Sequence, residues 1–191
     1  GIYYLSQPPY QTEKVEGYFV NTDEILQEAL NLPLNRFRRD LNNCKDESSE
    51  LDAWLELSKY LKNIRYFNNE DLLLIAPCTS PLRKTKTLIN LVNKLKNNKD
   101  ADGAICIKES NLLPDFNLLR KNDKKFLNTY IKGKRKINRQ SAVKAWEMTT
   151  VAYCYKLGSI LKNKEIFDLN TIGLDVKFPE SLDIDVPEDL D

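Results

Sequence analysis

The sequence predicts a single α/β domain, a mostly parallel sheet covered by helices on both faces. Three observations predict it. The chain has 191 residues, the size of one domain and long enough to bury roughly 70% of its unfolded surface without a disulfide or metal. Short apolar runs alternate with amphipathic stretches along it, as βαβ units require. One run, 71–76 (DLLLIA), is almost continuously apolar, like a strand buried on both faces of a parallel sheet.

The elements follow in order. Residues 2–5 (IYYL) supply at most a first strand ahead of a proline loop, and 17–21 (GYFVN) read as a strand. Thr22-Asp23 then offers an N-cap for a helix over 24–29. Over 46–62, Leu51, Trp54, Leu55, Leu57, Ser58 and Leu61 recur at helical spacing, with Asp46 or Ser48 as the cap. The strand at 71–76 leads to an amphipathic helix over 88–95 and a strand at 103–107 (GAICI). Residues 148–155 (MTTVAYCY) are β-branched and aromatic, a further strand. A helix over 158–162 and a strand around 172–176 close the series. Ligands of such sheets sit beyond the carboxyl ends of the strands, which points to the loops after Val20, Ile75, Ile107 and Tyr155.

Segment 110–140 breaks the alternation. Its periodicity is weak, and from 120 to 139 it carries nine basic residues against one acidic, Asp123. It is either an excursion that packs on a partner subunit or reaches an anionic ligand, or a solvated basic loop.

Composition narrows the chemistry. Twenty-nine basic against twenty-eight acidic residues give a net charge of +1, which argues against a dedicated nucleic-acid binder. The longest apolar run, 72–77, is far short of the ~20 residues that span a bilayer, so no membrane partner is expected, nor is a secretory signal visible. The chain has no histidine, which removes His-based acid–base work, Ser-His-Asp and Cys-His nucleophiles and histidine zinc sites. Carboxylates, lysines and arginines must carry any chemistry. The four cysteines (Cys44, Cys78, Cys106, Cys154) form no C-x-x-C pair; they read as small buried hydrophobes in a cytoplasmic protein.

Two stretches carry chemical signals. In 181–190, Asp183 and Asp185 alternate with Leu182, Ile184 and Val186, so an extended backbone puts both carboxylates on one face. Such a pair repels unless a hard cation neutralises it; Mg²⁺, with Mn²⁺ as substitute, suits carboxylates plus phosphate oxygens. The opposing reading is an acidic, frayed tail, with Pro187 opening a last helical turn. The second stretch is 75–83 (IAPCTSPLR). Two prolines stiffen it, Thr79 and Ser80 offer hydroxyls, and Arg83 offers a forked donor for an anion. It is a loop for a sugar or phosphate, or a stiff turn capping the next helix.

Together these pieces resemble the CMP-sugar synthetases, the cytidylyltransferases that activate acylneuraminate-type and related acidic sugars. Asn21-Thr22-Asp23-Glu24 resembles that family's STDDEE strand end. Arg36-Phe37-Arg38-Arg39-Asp40-Leu41 with Asp46-Glu47-Ser48-Ser49 is similar to its RRPAELA-D-SS segment, and 76–83 to its QPTSPLR loop. Arg139-Gln140 followed by Trp146 to Tyr153 matches its RQ-P-Y-MTTVAY variant, and Asp183-Ile184-Asp185 its SIDIDTELDL ending. The order is that of the family from about residue 15 onward.

The resemblance implies a three-layer Rossmann-like nucleotide-diphospho-sugar transferase fold with a protruding dimerisation segment, at about 110–140. It implies CTP and an acidic sugar as substrates, pyrophosphate as product, Mg²⁺ on Asp183 and Asp185, and a homodimer. Arg38 or Arg39 would lie near the nucleotide, and Ser48 or Ser49 near the nucleotide-sugar. The loop with Thr79, Ser80 and Arg83, and Arg139-Gln140, would face the sugar. The chain also departs from the pattern. It lacks the family's glycine-rich triphosphate loop, and Pro77 stands where the family has glutamine. It is therefore expected to be a member whose N-terminus is missing or one that has degenerated into a silent, fold-keeping form.

Overall fold

The protein is described by a computed structural model, covering residues 2–5, 15–21, 35–40, 50–64, 68–131, 139–162 and 169–190. The strand β1 (Ile2–Leu5) is followed by β2 (Val15–Asn21), β3 (Asn35–Arg38), α1 (Glu50–Ile64), β4 (Leu72–Ile75), α2 (Thr85–Lys96) and β5 (Gly103–Glu109). Then come β6 (Leu119–Lys121), β7 (Leu127–Thr129), β8 (Trp146–Lys156), α3 (Leu157–Lys162) and β9 (Thr171–Asp175). The helix expected over 24–29 lies outside the described residues.

The main sheet has the order β3-β2-β1-β4-β8-β5-β9. Strands β2, β3, β4, β5 and β9 run one way while β1 and β8 run against them, so the sheet is mixed, with four of its six pairings antiparallel. Because the reversed strands sit between the others, the hydrogen-bonded pairs that are parallel are β2–β3 and β5–β9. This overturns one expectation. The end of β8 at Tyr155 leads away from the ligand edge, and its beginning, Trp146 to Thr150, lies on that edge instead.

Two cores make three layers. Along β4, Leu73 and Ile75 face one side and Leu72 and Leu74 the other, the alternation of a pleated strand. Helix α1 buries Leu51, Ala53, Trp54, Leu57, Ser58 and Leu61 against the first side. Ser58 is tolerated there because its hydroxyl donates to the Trp54 carbonyl at 2.6 Å. Trp54 packs tilted against Tyr153 and Tyr155 at 5.6 and 5.8 Å, offset geometries that aromatic rings favour. Helix α2 buries Leu91, Val92 and Leu95 on the opposite side, with Ala104, Cys106, Val151 and Cys154.

The buried-hydrophobe reading holds for Cys106 and Cys154, whose thiols burial pushes up to about 12. It fails for Cys78, which the loop leaves exposed; Cys44 lies outside the described residues. No helix among the described residues is long and apolar enough to cross a membrane. The excursion at 110–131 stands off the main sheet, with β6 and β7 pairing as a separate hairpin. Its turn puts Lys125 at φ 67°, held by the Lys125 amide on Asn122 O at 2.8 Å and the Phe126 amide on Asn122 Oδ1 at 2.9 Å.

Candidate functional site

The strand directions bring the carboxyl ends of β2, β3, β4, β5 and β9 and the beginning of β8 to one edge. The loop after β4 and the segment after β9 meet there. The Ile184 amide donates to the Thr79 carbonyl at 2.8 Å, tying the two backbones together. Thr150, near the start of β8, donates from Oγ1 to Asp183 Oδ1 at 2.7 Å, and Ser80 Oγ lies 2.7 Å from Thr150 Oγ1. Asp183 is half-buried at the rim of a cleft of about 610 Å³ that Lys108, Asn111, Lys177, Phe178 and Leu182 also line.

The expected residues fare differently. Ser80 is fully buried and braces the site, so it does not face a ligand. Thr79 Oγ1 is buried with no hydrogen-bond partner among the described residues. Arg83 turns back on its own loop, donating from Nε to the Ser80 carbonyl at 2.8 Å. The alternative reading of this stretch as a helix cap fails too. The N-cap of α2 is Lys84, with no side-chain cap bond of its own, and Glu180 supplies the missing acceptor. Its carboxylate takes Thr87 Oγ1 at 2.5 Å and Lys84 Nζ at 2.9 Å, and the Lys84 backbone amide as well.

Asp185 is exposed; its amide and that of Val186 donate to Asp189 Oδ2 at 2.8 and 3.0 Å. Those bonds hold the Asp189 carboxyl below the usual range. The chain then makes a 3-10 turn at Pro187–Leu190, the last helical turn that the opposing reading assigned to Pro187, with residues 185–189 exposed. Arg139 and Gln140 begin a 3-10 turn, Arg139–Ser141. Gln140 is exposed there, and no hydrogen bond among the described residues joins it to the Thr150–Asp183 cluster. Ser48 and Ser49 lie outside the described residues. Of the two arginines, Arg39 is the one in electrostatic range of Glu50, while Arg38 is exposed at the end of β3.

Sequence reasoning passed over Glu50 and Thr150. Burial raises the Glu50 carboxyl, Arg39 opposes the rise and Asp183 adds to it. The Tyr153 hydroxyl is likewise pushed up by burial, then by Glu50 and Asp183. The site is thus an acidic locus fed by two carboxylates from distant parts of the chain. Glu50 directly follows the Ser48-Ser49 pair, and Thr150 lies inside the MTTVAY match; both signals were present as neighbours of residues singled out.

No family model matches the chain. Solved structures do, each over 92% of this chain. A CMP:2-keto-3-deoxy-manno-octonic acid synthetase complexed with CTP superposes with TM-score 0.58 at 11% identity, covering 77% of that chain. The 4-diphosphocytidyl-2C-methyl-D-erythritol synthase of Anaerococcus prevotii DSM 20548 gives 0.57 at 12%, over 78% of its chain. The 2-C-methyl-D-erythritol 4-phosphate cytidylyltransferase of Francisella tularensis gives 0.53 at 13%, over 96%. The chain has the nucleotide-diphospho-sugar transferase fold. At such identities the likeness establishes that fold, and with it the three-layer Rossmann-like architecture expected from the sequence.

The donor set suits Mg²⁺. Asp183 commits Oδ1 to Thr150, and its Oδ2 has no hydrogen-bond partner among the described residues. Among those residues no group of three His, Cys, Asp or Glu is gathered. A cation there must complete its shell with water and substrate oxygens, as Mg²⁺ ordinarily does.

Proposed function

We propose that this site is built for cytidylyl transfer: CTP and an acidic sugar of the sialic, pseudaminic or legionaminic type as substrates, CMP-sugar and pyrophosphate as products. The observation that carries the reading is the meeting of the 76–83 loop, the start of β8 and Asp183 at the ligand edge of this fold. Asp183 and Asp185 are the residues that would hold Mg²⁺, which when bound neutralises charge on phosphate oxygens. Arg39 adds positive charge on the other flank. Lys177 supplies a cationic head along the cleft for an anionic sugar, while the Lys108 ammonium is held by Glu147 at 3.0 Å. With no histidine in the chain, a carboxylate is a side-chain base suited to receive the sugar hydroxyl's proton. Glu50, raised by burial, is suited to take it.

A second reading, a silent member that keeps the fold for binding, has its own support. Strand β1 runs against its neighbours, so its carboxyl end lies on the edge away from Asp183. A phosphate-cradling turn following that strand therefore does not start at the site. Losing several oriented N–H donors takes several kcal/mol from triphosphate binding, about 1.4 kcal/mol being tenfold. The expected result is weak CTP binding and negligible pyrophosphate release by the 191-residue chain. A melting scan with CTP and Mg²⁺, and a pyrophosphate assay with a panel of nonulosonic acids, check it. Turnover at an ordinary enzyme rate sinks the silent reading; no CTP-dependent stabilisation at all sinks cytidylyl transfer.

The protein is further proposed to be a homodimer. Phe126, Leu127 and Tyr130 on the hairpin are 66, 63 and 57% exposed, and Trp146 and Met148 at the start of β8 are 52 and 51% exposed. Large apolar side chains left exposed on these two elements are suited to an interaction surface. Light scattering at micromolar concentration is expected to give twice the chain mass, and Phe126→Glu with Leu127→Lys to give one. A wild-type monomer overturns this.

A further inference from the structure

Resting on the reading of Asp183 as the cation's carboxylate, we infer that Thr150 is a positioning residue that fixes which way that carboxylate faces, with Ser80 holding Thr150 in turn. The donors run in one direction. A carboxylate only accepts, so Thr150 Oγ1 commits its single proton to Asp183 Oδ1 at 2.7 Å. The 2.7 Å contact between the two hydroxyls must then be donated by Ser80. The other acceptor within reach of Ser80, the Leu182 carbonyl at 3.3 Å, is too long to compete on equal terms.

Each member stands on a different piece of chain, and each piece is pinned beside it. Ser80 is fully buried in the loop after β4, and its carbonyl holds Arg83 Nε at 2.8 Å. Thr150 sits on β8, the strand paired with both β4 and β5. Asp183 is one residue from the Ile184 amide, which bonds the Thr79 carbonyl. A hydroxyl chain so enclosed has few alternative rotamers, and its bonds polarise one another. With Oδ1 occupied, Oδ2 is the oxygen left for a ligand. Partners one bond behind a metal ligand typically carry about 10–100-fold of its affinity.

The test measures Mn²⁺ binding by electron paramagnetic resonance, with and without CTP, on the 191-residue chain, alongside melting in the absence of metal. Thr150→Val keeps the shape and removes the donor; Thr150→Ser keeps the donor. Thr150→Val is expected to weaken Mn²⁺ binding about 10–100-fold, Thr150→Ser to bind like wild type, and Ser80→Ala to weaken it less. A merely structural role would lower the melting temperature and leave the affinity of the folded chain unchanged. The inference is overturned if Thr150→Val binds as wild type does while Asp183→Asn does not bind, or if Thr150→Ser loses as much as Thr150→Val. If wild type binds no Mn²⁺ under either condition, the reading of Asp183 falls with it. Should Thr150→Val not fold, Ser80→Ala decides: unchanged affinity refutes the chain of hydroxyls, and a reproducible loss supports it.

Discussion

Replacing Tyr155 with alanine is expected to remove about 3–5 kcal/mol of stability, as full truncation of a buried large ring does. For a chain of this length the melting temperature falls by about 2–4 °C per kcal/mol. The ring is 1% exposed and packs against Trp54 at 5.8 Å. Burial also pushes its hydroxyl up to about 12, with a hydrogen bond involving Thr171 working the other way. The ring lies directly over Gly103, its partner across the β5–β8 pairing. A Cβ at Gly103 would meet Tyr155 Cδ1 at 2.2 Å, closer than any real contact, so an aromatic has been laid on the bare backbone. Gly103→Ala alone is therefore also destabilising. Combined with Tyr155→Ala it is expected to lose less than the sum, by a coupling of about 0.5–3 kcal/mol. Urea denaturation of the four proteins measures this; strict additivity would show that the ring, once displaced, has other room.

Glu180→Ala is expected to cost about 1.5–3 kcal/mol, the range for hydrogen bonds to a charged group. The side chain is 13% exposed and closes the start of α2, where the helix has no cap of its own. A carboxylate at this position also meets the positive end of the helix dipole. Burial works against its charge, but the bonds from Thr87 and Lys84 outweigh it and hold the carboxyl below the ordinary 4.5. Because the folded value lies below the unfolded one, the stabilisation is complete above pH 4.5 and disappears as pH falls through the folded value. Wild type should thus lose stability in that acid window more steeply than the alanine variant. Equal slopes would mean that Glu180 does not carry the difference.

The elements that the sequence reveals are those whose pattern is local. The helix expected over 46–62 is observed at Glu50–Ile64, and the strand expected at 71–76 at Leu72–Ile75, because burial on one stripe or on both faces writes itself into successive residues. Strand β3 left no such trace. Its residues NRFR carry one apolar side chain, and it sits at the sheet edge, pairing with β2 alone, where charged side chains discourage further pairing. In the site, Asp183, Thr79 and Ser80 were visible as chemistry. Their roles were not, since a hydroxyl at a strand end reads the same whether it faces a ligand or braces a neighbour.

The sequence alone determined the α/β class, the alternation of layers, the lack of histidine chemistry and the stretches from which the site is drawn. Each follows from composition or from periodicity over a few residues. The tertiary structure decided strand direction, and with it that the start of β8, not its end, reaches the ligand edge. It also decided that Thr150 meets Asp183 across 33 residues and that Glu180 closes the start of a helix by accepting from Thr87, 93 residues earlier. Such pairings leave no periodic mark in the chain. They exist because packing two cores against one sheet fixes which distant backbone ends must lie side by side.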